Sequence, residues 1–397
     1  MNFILFDDER YHNFLPLTHT RPVGELRCGI LTMSERWRAL LLQPLSHHSA
    51  SHLAEKFPIN ISNDNVFINS ALFPNKALNE AILTLKKGEC LVKENMLLCA
   101  RVDEDMALSF SIQDVLLNTS QIVFNDELQS LHQVWDIFSL NDFAIREDYH
   151  LLTRGRTSSP ISSTNTVLGN QLFIEEGAKV ECSMINTESG PVYLGKDAEV
   201  MEGSMIRGPF ALGDHAVVKM GAKIYGATTI GAGCKVGGEI NNAVFYANSN
   251  KAHDGFIGNA VIGEWCNLGA DTNNSNLKNN YEEVRLWNEH KKSFVKTGLQ
   301  FCGLIMGDHS KCGINTMLNT GTVIGVSCNV YGPGFPRNFI PSFSWGGANG
   351  FMEYQLTKSV ETAARVFARR NLDFDGIEQR LMASVFEKTN EQRNYQP

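Results

Sequence analysis

The sequence has no uninterrupted apolar run near the roughly 20 residues that a membrane-spanning helix needs, so no membrane span of that kind is expected. It also lacks an excess of positive charge. Its formal net charge is −8, which argues against a broad nucleic-acid-binding surface. The first residues, MNFILFDDERYH, place acids directly after a short apolar stretch, which is not the pattern of a secretion signal. We therefore expect neither membrane nor nucleic-acid binding.

The cysteines form no recognisable framework. Nine are present, an odd number, and none forms the C-x-x-C spacing of metal and redox motifs. Reduced thiols in a cytoplasmic protein explain this pattern better than disulfides or a zinc site. The length of 397 residues exceeds one compact core and predicts two or three domains.

The first third of the chain alternates short apolar runs with segments of helical periodicity. Residues 3–6 are apolar and end at two acids, as in a buried strand that carries polar groups at its carboxyl end. Helical periodicity follows in 30–42 and 76–86, with another apolar run at 66–68. Residues 90–102 predict a strand pair joined by a two-residue Glu-Asn turn. Strands that alternate with helices predict a doubly wound α/β domain.

A short loop motif after the first apolar run carries a family resemblance. Residues 15–22, LPLTHTRP, resemble the P-L-T-x-T-R-P stretch of sugar-1-phosphate nucleotidyltransferases. In that family the stretch follows a G-x-G-T-R loop whose backbone N–H groups close around the phosphates of a nucleoside triphosphate. The resemblance implies a nucleotidyltransferase-like domain.

The phosphate loop departs from that family's pattern, because residues 7–13, DDERYHN, contain three carboxylates and no glycine. One interpretation is a degenerate domain kept for binding or assembly. The other is a divergent active site in which Arg21 and Arg27 bind the nucleoside triphosphate. In that case Mg²⁺ would be held by Asp7 or Asp8. We expect nucleotidyl transfer to be slow or absent, since acids at this place repel phosphates unless a metal intervenes.

The middle of the chain has a six-residue period. An aliphatic residue recurs at every sixth position, and the residue four positions later is mostly small. This period is the signature of a parallel β-helix, in which each hexad supplies one strand and one turn, and three hexads close a triangular coil. The repeated side chains should point into the prism. They are Leu194, Val200, Ile206, Leu212, Val218, Ile224, Ile230 and Val236, followed later by Met306, Cys312, Leu318, Ile324 and Val330.

These patterns divide the chain into three parts. We expect a divergent nucleotidyltransferase-like α/β domain at 1–152, an all-β parallel β-helix at 161–345 and a helical tail at 351–397. Residues 153–160, TRGRTSSP, are the expected linker. The tail has two amphipathic segments split at 371–373, and such helices would cap the open end of the β-helix.

The unusual polar residues gather in 250–280, between the two runs of the repeat. This segment contains a lone histidine, His253, followed by aliphatic-Gly pairs and an asparagine-rich strip. Acyl transfer from a thioester to a sugar amine needs a base, a donor for the tetrahedral oxyanion and cations for a substrate phosphate. Imidazole suits the role of base because histidine side chains ordinarily titrate near neutral pH. The segment is therefore the candidate active site of an acyltransferase.

The same segment is similar to the acetyltransferase domain of the bifunctional bacterial UDP-N-acetylglucosamine pyrophosphorylase and glucosamine-1-phosphate N-acetyltransferase. The shared features are a histidine five residues before the glycine of an aliphatic-Gly pair, a second such pair and N-[IL]-G-A. They fall here on His253, Gly258, 262–263 and 267–270. The resemblance implies a left-handed coil, His253 as catalytic base, acetyl-CoA as donor, an amino-sugar phosphate as acceptor and a homotrimer.

The substrate contacts of that family are only partly kept. Its Asn-Tyr pair falls on Asn276 and Leu277, and Tyr281 is close enough to replace the tyrosine. Its phosphate-gripping arginine and lysine are replaced, which leaves Lys251 and Lys278 as the nearby cations. We expect four residues to bind the acceptor: Lys251, Asn276, Lys278 and Tyr281.

Two interpretations of the whole chain follow. One is an amino-sugar-phosphate N-acetyltransferase of nucleotide-sugar synthesis, fused to the nucleotidyltransferase-like domain. The other is a non-catalytic nucleotide-sugar-binding scaffold or regulatory subunit. His253 and its glycines favour the enzyme, while the missing phosphate loop favours the scaffold, mainly for the first domain. The excursion from 279 to about 304 is expected to be a lid or a subunit contact, and Trp265 and Trp287 to be packing or interface residues.

Overall fold

The computed structural model describes residues 1–395, which form two compact units. Unit 1 comprises residues 1–14, 20–26 and 31–133, and unit 2 comprises residues 15–19, 27–30 and those from 134 onward. Two short pieces of the N-terminal sequence thus belong to unit 2. So do residues 134–152, which the sequence pattern assigned to the first domain.

Unit 1 contains a six-stranded mixed sheet in the order β2-β1-β3-β5-β4-β6. β1 pairs in parallel with β2 and β3, whereas β5 runs antiparallel to β3 and β4. The strands are β1 (Asn2–Phe6), β2 (Leu45–His48), β3 (Asn65–Asn69), β4 (Glu89–Lys93), β5 (Met96–Val102) and β6 (Ser120–Val123).

Both faces of this sheet are buried because side chains alternate along each strand. Phe3 and Leu5 pack on one face with residues of α1 and α2, and Ile4 and Phe6 pack on the other with residues of α3 and α4. The domain is therefore doubly wound, as predicted. The helices are α1 (Met33–Leu41), α2 (Lys76–Thr84), α3 (Glu104–Leu108) and α4 (Ile112–Asn118).

The hairpin between β4 and β5 has the predicted two-residue turn. Glu94 and Asn95 have φ values of 49° and 67°. Positive φ at both positions is the geometry that matches the twist of two-residue hairpins. A local sequence signal was sufficient here.

Unit 2 contains the β-helix, whose three faces are built from parallel strands stacked coil on coil, apart from the edge strand β33, which runs antiparallel to β32. One face is a ten-stranded sheet from β9 to β33, and the other two faces are joined where β19 and β21 bend round a corner. The strands are β7 (Thr166–Leu168), β8 (Leu172–Ile174), β9 (Lys179–Val180), β10 (Met184–Asn186), β11 (Val192–Leu194), β12 (Glu199–Val200), β13 (Met205–Arg207), β14 (Phe210–Leu212), β15 (Val217–Val218), β16 (Lys223–Tyr225), β17 (Thr228–Ile230), β18 (Lys235–Val236), β19 (Glu239–Phe245), β20 (Asn250–Lys251), β21 (Phe256–Ile262), β22 (Asn267–Leu268), β23 (Asn273–Asn274), β24 (Arg285–Asn288), β25 (Ser293–Lys296), β26 (Leu304–Met306), β27 (Lys311–Cys312), β28 (Met317–Leu318), β29 (Thr322–Ile324), β30 (Asn329–Val330), β31 (Phe339–Ile340), β32 (Ser344–Gly347) and β33 (Gly350–Glu353).

The repeat positions form the core of the prism. All thirteen side chains named from the six-residue period are buried and belong to one continuous apolar cluster. Successive coils stack aliphatic side chains on one another, because Leu194 is in register with Leu212, and Leu212 is in register with Ile230. The predicted parallel β-helix of six-residue repeats is thus confirmed.

Helices and one hairpin complete unit 2. The excursion after residue 279 forms the antiparallel hairpin β24–β25, which the sequence did not predict. The tail forms two helices, as predicted. The tail lies along a side of the prism as well as at its end, because Phe367 stacks on Trp265 with ring centroids 4.0 Å apart. The helices are α5 (Asp136–Ser139), α6 (Asn141–Thr153), α7 (Leu356–Ala368) and α8 (Gly376–Lys388).

Within residues 1–395, the helices are too short or too polar to cross a membrane.

Candidate active site

The loop that carries His253 lies at a corner of the prism, between β20 and β21. His253 is exposed, and the loop beneath it is held by Lys251. The buried Lys251 ammonium donates to the backbone carbonyls of His253, at 2.5 Å, and Asp254, at 2.6 Å. The structure therefore brings the two predicted residues together, with the imidazole outside and the ammonium beneath.

Burial lowers the pKa of Lys251 to about 8, although the negative charges of Asp254 and Asp271 partly offset the loss of hydration. Charge-assisted hydrogen bonds to two carbonyls favour the protonated amine. The ammonium thus has two backbone partners inside the loop, which suits a positioning role.

The next coil fixes the other side of the same loop. The Asp271 N–H donates to the Asp254 carbonyl at 2.9 Å, and the Phe256 N–H donates to the Asn273 side chain at 2.7 Å. Gly255 has φ of 115°, and a Cβ there would lie 2.3 Å from the Thr272 carbonyl oxygen. Only glycine fits this turn, so the sequence His-Asp-Gly has a geometric cause.

Asn276 lies at a different corner of the prism, in a ladder of three asparagines. Its Nδ2 donates to Asn259 Oδ1 at 2.8 Å. With the Asn242 amide turned so that its groups are satisfied, Asn259 Nδ2 donates to Asn242 Oδ1 at 3.0 Å. Asn242 and Asn259 have φ values of 48° and 47°, the left-handed geometry that asparagine tolerates. The first half of β21 separates this corner from the His253 loop.

The ladder was missed as a set by sequence reasoning, although a signal existed. Its members are 17 residues apart, which matches one coil in this part of the prism, where Asn241 pairs with Gly258. The neighbouring Asn274 is buried and consumed by the backbone: it accepts from the Gly258 N–H at 2.9 Å and donates to the Gly258 carbonyl at 3.0 Å.

Lys278 and Tyr281 open the excursion after the ladder. The Lys278 ammonium donates to the Glu283 carbonyl at 2.9 Å, which leaves two of its three N–H groups for other partners. Tyr281 is 65% exposed and has φ of 58°. Both remain predictions as acceptor-binding residues.

In unit 1, the acids at the end of β1 are engaged within the fold. Asp8 receives the forked guanidinium of Arg10, with Nη2 to Oδ2 at 2.7 Å, and the Asn69 amide at 2.8 Å. Burial raises the pKa of Asp8, but these bonds outweigh it and the net pKa is lowered. Asp7 accepts from the Val23 N–H at 3.1 Å, and loss of hydration raises its pKa to about 7.

These carboxylates do not fit the predicted Mg²⁺ site. Magnesium ions require carboxylate oxygens that can turn toward the ion and water, whereas Asp8 is neutralised by Arg10 and Asp7 holds the Val23 backbone. Across residues 1–395, no cluster of three or more His, Cys, Asp or Glu side chains is arranged to hold a metal.

The two arginines predicted to bind nucleotide have different surroundings. Arg21 is buried in unit 1. Arg27 belongs to unit 2, where its backbone N–H donates to the Tyr246 hydroxyl at 2.9 Å and its guanidinium bonds the Ile30 carbonyl. Their roles toward a nucleotide remain predictions.

The chain is similar to several known proteins. Residues 3–157 match the family model described as sugar nucleotidyl transferase. The chain is 25% identical over 179 residues to the bifunctional sugar-1-phosphate nucleotidylyltransferase/acetyltransferase of Sulfurisphaera tokodaii, covering 45% of this chain and 44% of that protein. It is 26% identical over 290 residues to the bifunctional protein GlmU of Methanococcus vannielii, covering 68% and 63%. A solved UDP-N-acetylglucosamine acyltransferase of Arabidopsis aligns with 59% of this chain and 92% of its own at 12% identity, with a TM-score of 0.25.

The family model that residues 3–157 match, and the relative from Sulfurisphaera tokodaii, are both described as transferases. More narrowly, the chain is similar to a bifunctional sugar-1-phosphate nucleotidylyltransferase/acetyltransferase and to a bifunctional protein GlmU, which confirms the resemblance expected from the sequence. The chain spans 44% and 63% of the length of these two relatives.

Proposed function

We propose that the chain transfers an acetyl group from acetyl-CoA to the amine of an amino-sugar phosphate, in nucleotide-sugar synthesis. The observation that carries this proposal is the exposed His253 on a loop fixed by Lys251 and by the next coil. The name of the relative from Sulfurisphaera tokodaii, which includes an acetyltransferase, supports the chemistry. A rigid loop with an exposed imidazole is what general-base catalysis requires.

In the proposed reaction, His253 accepts a proton from the attacking amine. The amine nitrogen forms a bond to the acetyl carbonyl carbon, the carbon–sulfur bond breaks, and the proton passes to the departing thiolate sulfur. Asn276 uses one amide hydrogen in the ladder and offers the second to the acceptor.

The remaining predicted residues divide into positioning and binding roles. We assign Lys251 a positioning role through the His253 loop, because two of its three N–H groups donate to loop carbonyls. We assign the acceptor's phosphate to Lys278, with Tyr281 at the edge of the same site. Tyr281 belongs to the excursion and Lys278 lies directly before it, so the start of the excursion would then act as part of the acceptor site.

A homotrimer completes the proposal. The first coils present an apolar outer face with a groove of about 520 Å³, on which Leu168, Met184 and Met205 are exposed. Exposed apolar patches of this kind are typical of interfaces. Closed threefold symmetry would cover this face without leaving an open end. A monomer in light scattering at micromolar concentration would contradict this part.

For unit 1 we propose binding without efficient nucleotidyl transfer. The specific observation is the Arg10–Asp8 fork, which occupies the place where a nucleotidyltransferase needs donors for the triphosphate. A nucleotide-sugar-binding or assembly role for this unit is the second candidate function.

The deciding experiment mixes the full chain with acetyl-CoA and a panel of sugar phosphates, and follows release of free thiol together with the acetylated product. We expect turnover with glucosamine 1-phosphate and none with glucose 1-phosphate, which has the same phosphate but no amine. If no amino-sugar phosphate is acetylated above the rate of acetyl-CoA hydrolysis, the proposed function is wrong.

A further inference from the structure

A cavity of about 740 Å³ lies in unit 2, away from the His253 loop. Its walls come from the excursion hairpin β24–β25, from β31 and from the residues after α8. Its lining residues include Trp287, Glu289, Arg337, Phe339 and Gln392. None of them belongs to the candidate active site or to the thirteen repeat positions of the prism core.

The floor of this cavity contains a buried carboxylate with one free oxygen. The Glu289 side chain is 1% exposed, and its Oε2 accepts from His19 Nε2 at 2.9 Å and from Gln392 Nε2 at 3.0 Å. Three of the residues that line the cavity each have a buried atom without a hydrogen-bond partner among residues 1–395, namely Glu289 Oε1, Gln392 Oε1 and Trp287 Nε1. Buried polar atoms in native proteins are nearly always paired, so two acceptors and one donor gathered in one place indicate a ligand.

The wall beside them is aromatic. The Trp287 ring stacks on Phe339 with centroids 4.8 Å apart, and it meets the edge of Phe294 at 5.2 Å. Packed rings form a rigid apolar surface beside the polar floor. That combination suits a ligand with hydroxyl groups on its rim and C–H groups on its face.

The rim of the cavity carries one uncompensated positive charge. Lys292 pairs with Glu391 at 3.1 Å, and Arg393 pairs with Glu353 at 3.0 Å. The exposed Arg337 has no carboxylate within 4.0 Å in the described chain, and its guanidinium lies over the rings of Phe351 and Tyr395. Stacking on rings leaves the guanidinium edge available for an anion.

We propose that this cavity is a second small-molecule site and binds a phosphorylated monosaccharide. Sugar hydroxyls donate to Glu289 Oε1 and Gln392 Oε1, and a sugar oxygen accepts from Trp287 Nε1. The phosphate bonds Arg337. The volume lies within the range of about 300–1,000 Å³ that small-molecule sites occupy. The proposal does not depend on acetyl transfer at the His253 loop.

The test titrates the full chain with glucose 1-phosphate and follows tryptophan fluorescence, with affinity measured by calorimetry. We expect saturable binding that the Trp287→Phe variant no longer reports. Arg337→Met should weaken glucose 1-phosphate binding by about tenfold, because a charge-assisted bond to phosphate is lost. It should leave the weaker binding of glucose unchanged. Glu289→Gln should weaken both sugars.

The matched control is Arg365→Met, an exposed arginine on α7 that pairs with Glu361 and lies outside this cavity. It should bind like the wild type. If Glu289→Gln lowers the melting temperature, the exposed Arg337 still decides the matter. The proposal fails if no sugar phosphate saturates the signal, or if inorganic phosphate binds as tightly as glucose 1-phosphate. It also fails if uridine monophosphate binds more tightly, or if neither variant changes affinity.

Discussion

Two polar loops, the β1 end in unit 1 and the His253 loop in unit 2, show opposite uses of charge. At the β1 end, Asp8 is locked by the fork of Arg10, and Asp7 is turned to the Val23 backbone. In the His253 loop the charged group, Lys251, is buried under the backbone and leaves the imidazole exposed. In the first loop the carboxylates bond partners within the fold. In the second loop one buried ammonium bonds the backbone, and the His253 side chain stays exposed.

The difference teaches how to weigh departures from a family pattern. Acids in place of a glycine-rich loop could have signified a metal site, but their partners are an arginine and backbone N–H groups. A lone histidine could have been structural, but the contacts in its loop come from the backbone and from Lys251. The hydrogen-bond partners of a charged residue therefore decide its role.

Replacing His253 tests whether the exposed imidazole is the general base. His253→Asn should lower kcat for acetyl transfer by roughly 10²–10⁴-fold with little change in melting temperature, because the general base is lost from an exposed position. His215→Asn is the matched control: His215 is also exposed at a corner of the prism, with φ of 56°. Equal activity of the two variants in the thiol-release assay would remove His253 from the mechanism.

Replacing Lys251 tests whether a buried charge holds the loop. Lys251→Met should lower kcat by about tenfold, since two charge-assisted bonds to the loop carbonyls are lost. Burial lowers the pKa of Lys251 to about 8, so the ammonium loses its proton as the pH rises through about 8. We therefore expect wild-type kcat to fall above pH 8 and the variant to lack that fall.

The pH profile of kcat separates positioning from mere packing. A variant that loses activity equally at every pH while keeping the fall above pH 8 would show that some other group causes it. Lys311→Met provides a comparison, because Lys311 is also a lysine of the prism and its ammonium bonds the His309 carbonyl at 2.8 Å. That substitution should leave the pH profile unchanged.

Replacing Asp7 tests how a buried carboxyl at the end of β1 affects the free energy of unfolding. Loss of hydration raises the pKa of Asp7 from 3.8 to about 7, so the folded chain keeps a proton that the unfolded chain releases. The stabilisation from Asp7 is therefore complete below about pH 3.8 and disappears as the pH rises to about 7. Asp7→Asn should remove this loss and be more stable than wild type at pH 8 by roughly 1–3 kcal/mol.

Melting temperatures of wild type and Asp7→Asn at pH 5 and pH 8 check this prediction. The two proteins should differ less at pH 5, where only part of the loss has occurred, than at pH 8, where it is complete. Asp64→Asn serves as the control, because Asp64 is an acid of the same unit whose bond to Arg101 lowers its pKa. The idea is wrong if Asp7→Asn is less stable than wild type at pH 8.

The smallest expected effect concerns nucleotidyl transfer. Pyrophosphate release from UTP, dTTP, CTP or GTP with sugar 1-phosphates should stay near background with and without Mg²⁺, because the Arg10–Asp8 fork offers no donors to a triphosphate. Asp7→Ala and Arg21→Ala should then change nothing. Robust Mg²⁺-dependent release that either substitution abolishes would show a working active site at the β1 end.

The elements that the sequence determined by itself are those with local causes. The six-residue period placed thirteen side chains in the prism core, since every coil must fill the same narrow interior. The Glu94-Asn95 turn and the break between the tail helices at Asn371 follow from residues that tolerate positive φ. His253 stood out because of its spacing to Gly258.

Which polar groups are hydrogen-bonded within the chain, and which remain available to a ligand, depends on the tertiary structure. Lys251 could be assigned to substrate from the sequence, but stacking of β20 on its neighbours buries its ammonium beneath the His253 loop. The ladder of Asn242, Asn259 and Asn276 exists because one coil here is 17 residues long. His19 and Glu289 are 270 residues apart in sequence and 2.9 Å apart in space. Periodicity predicts where backbone goes, whereas hydrogen-bond partners from distant coils depend on how the whole chain packs.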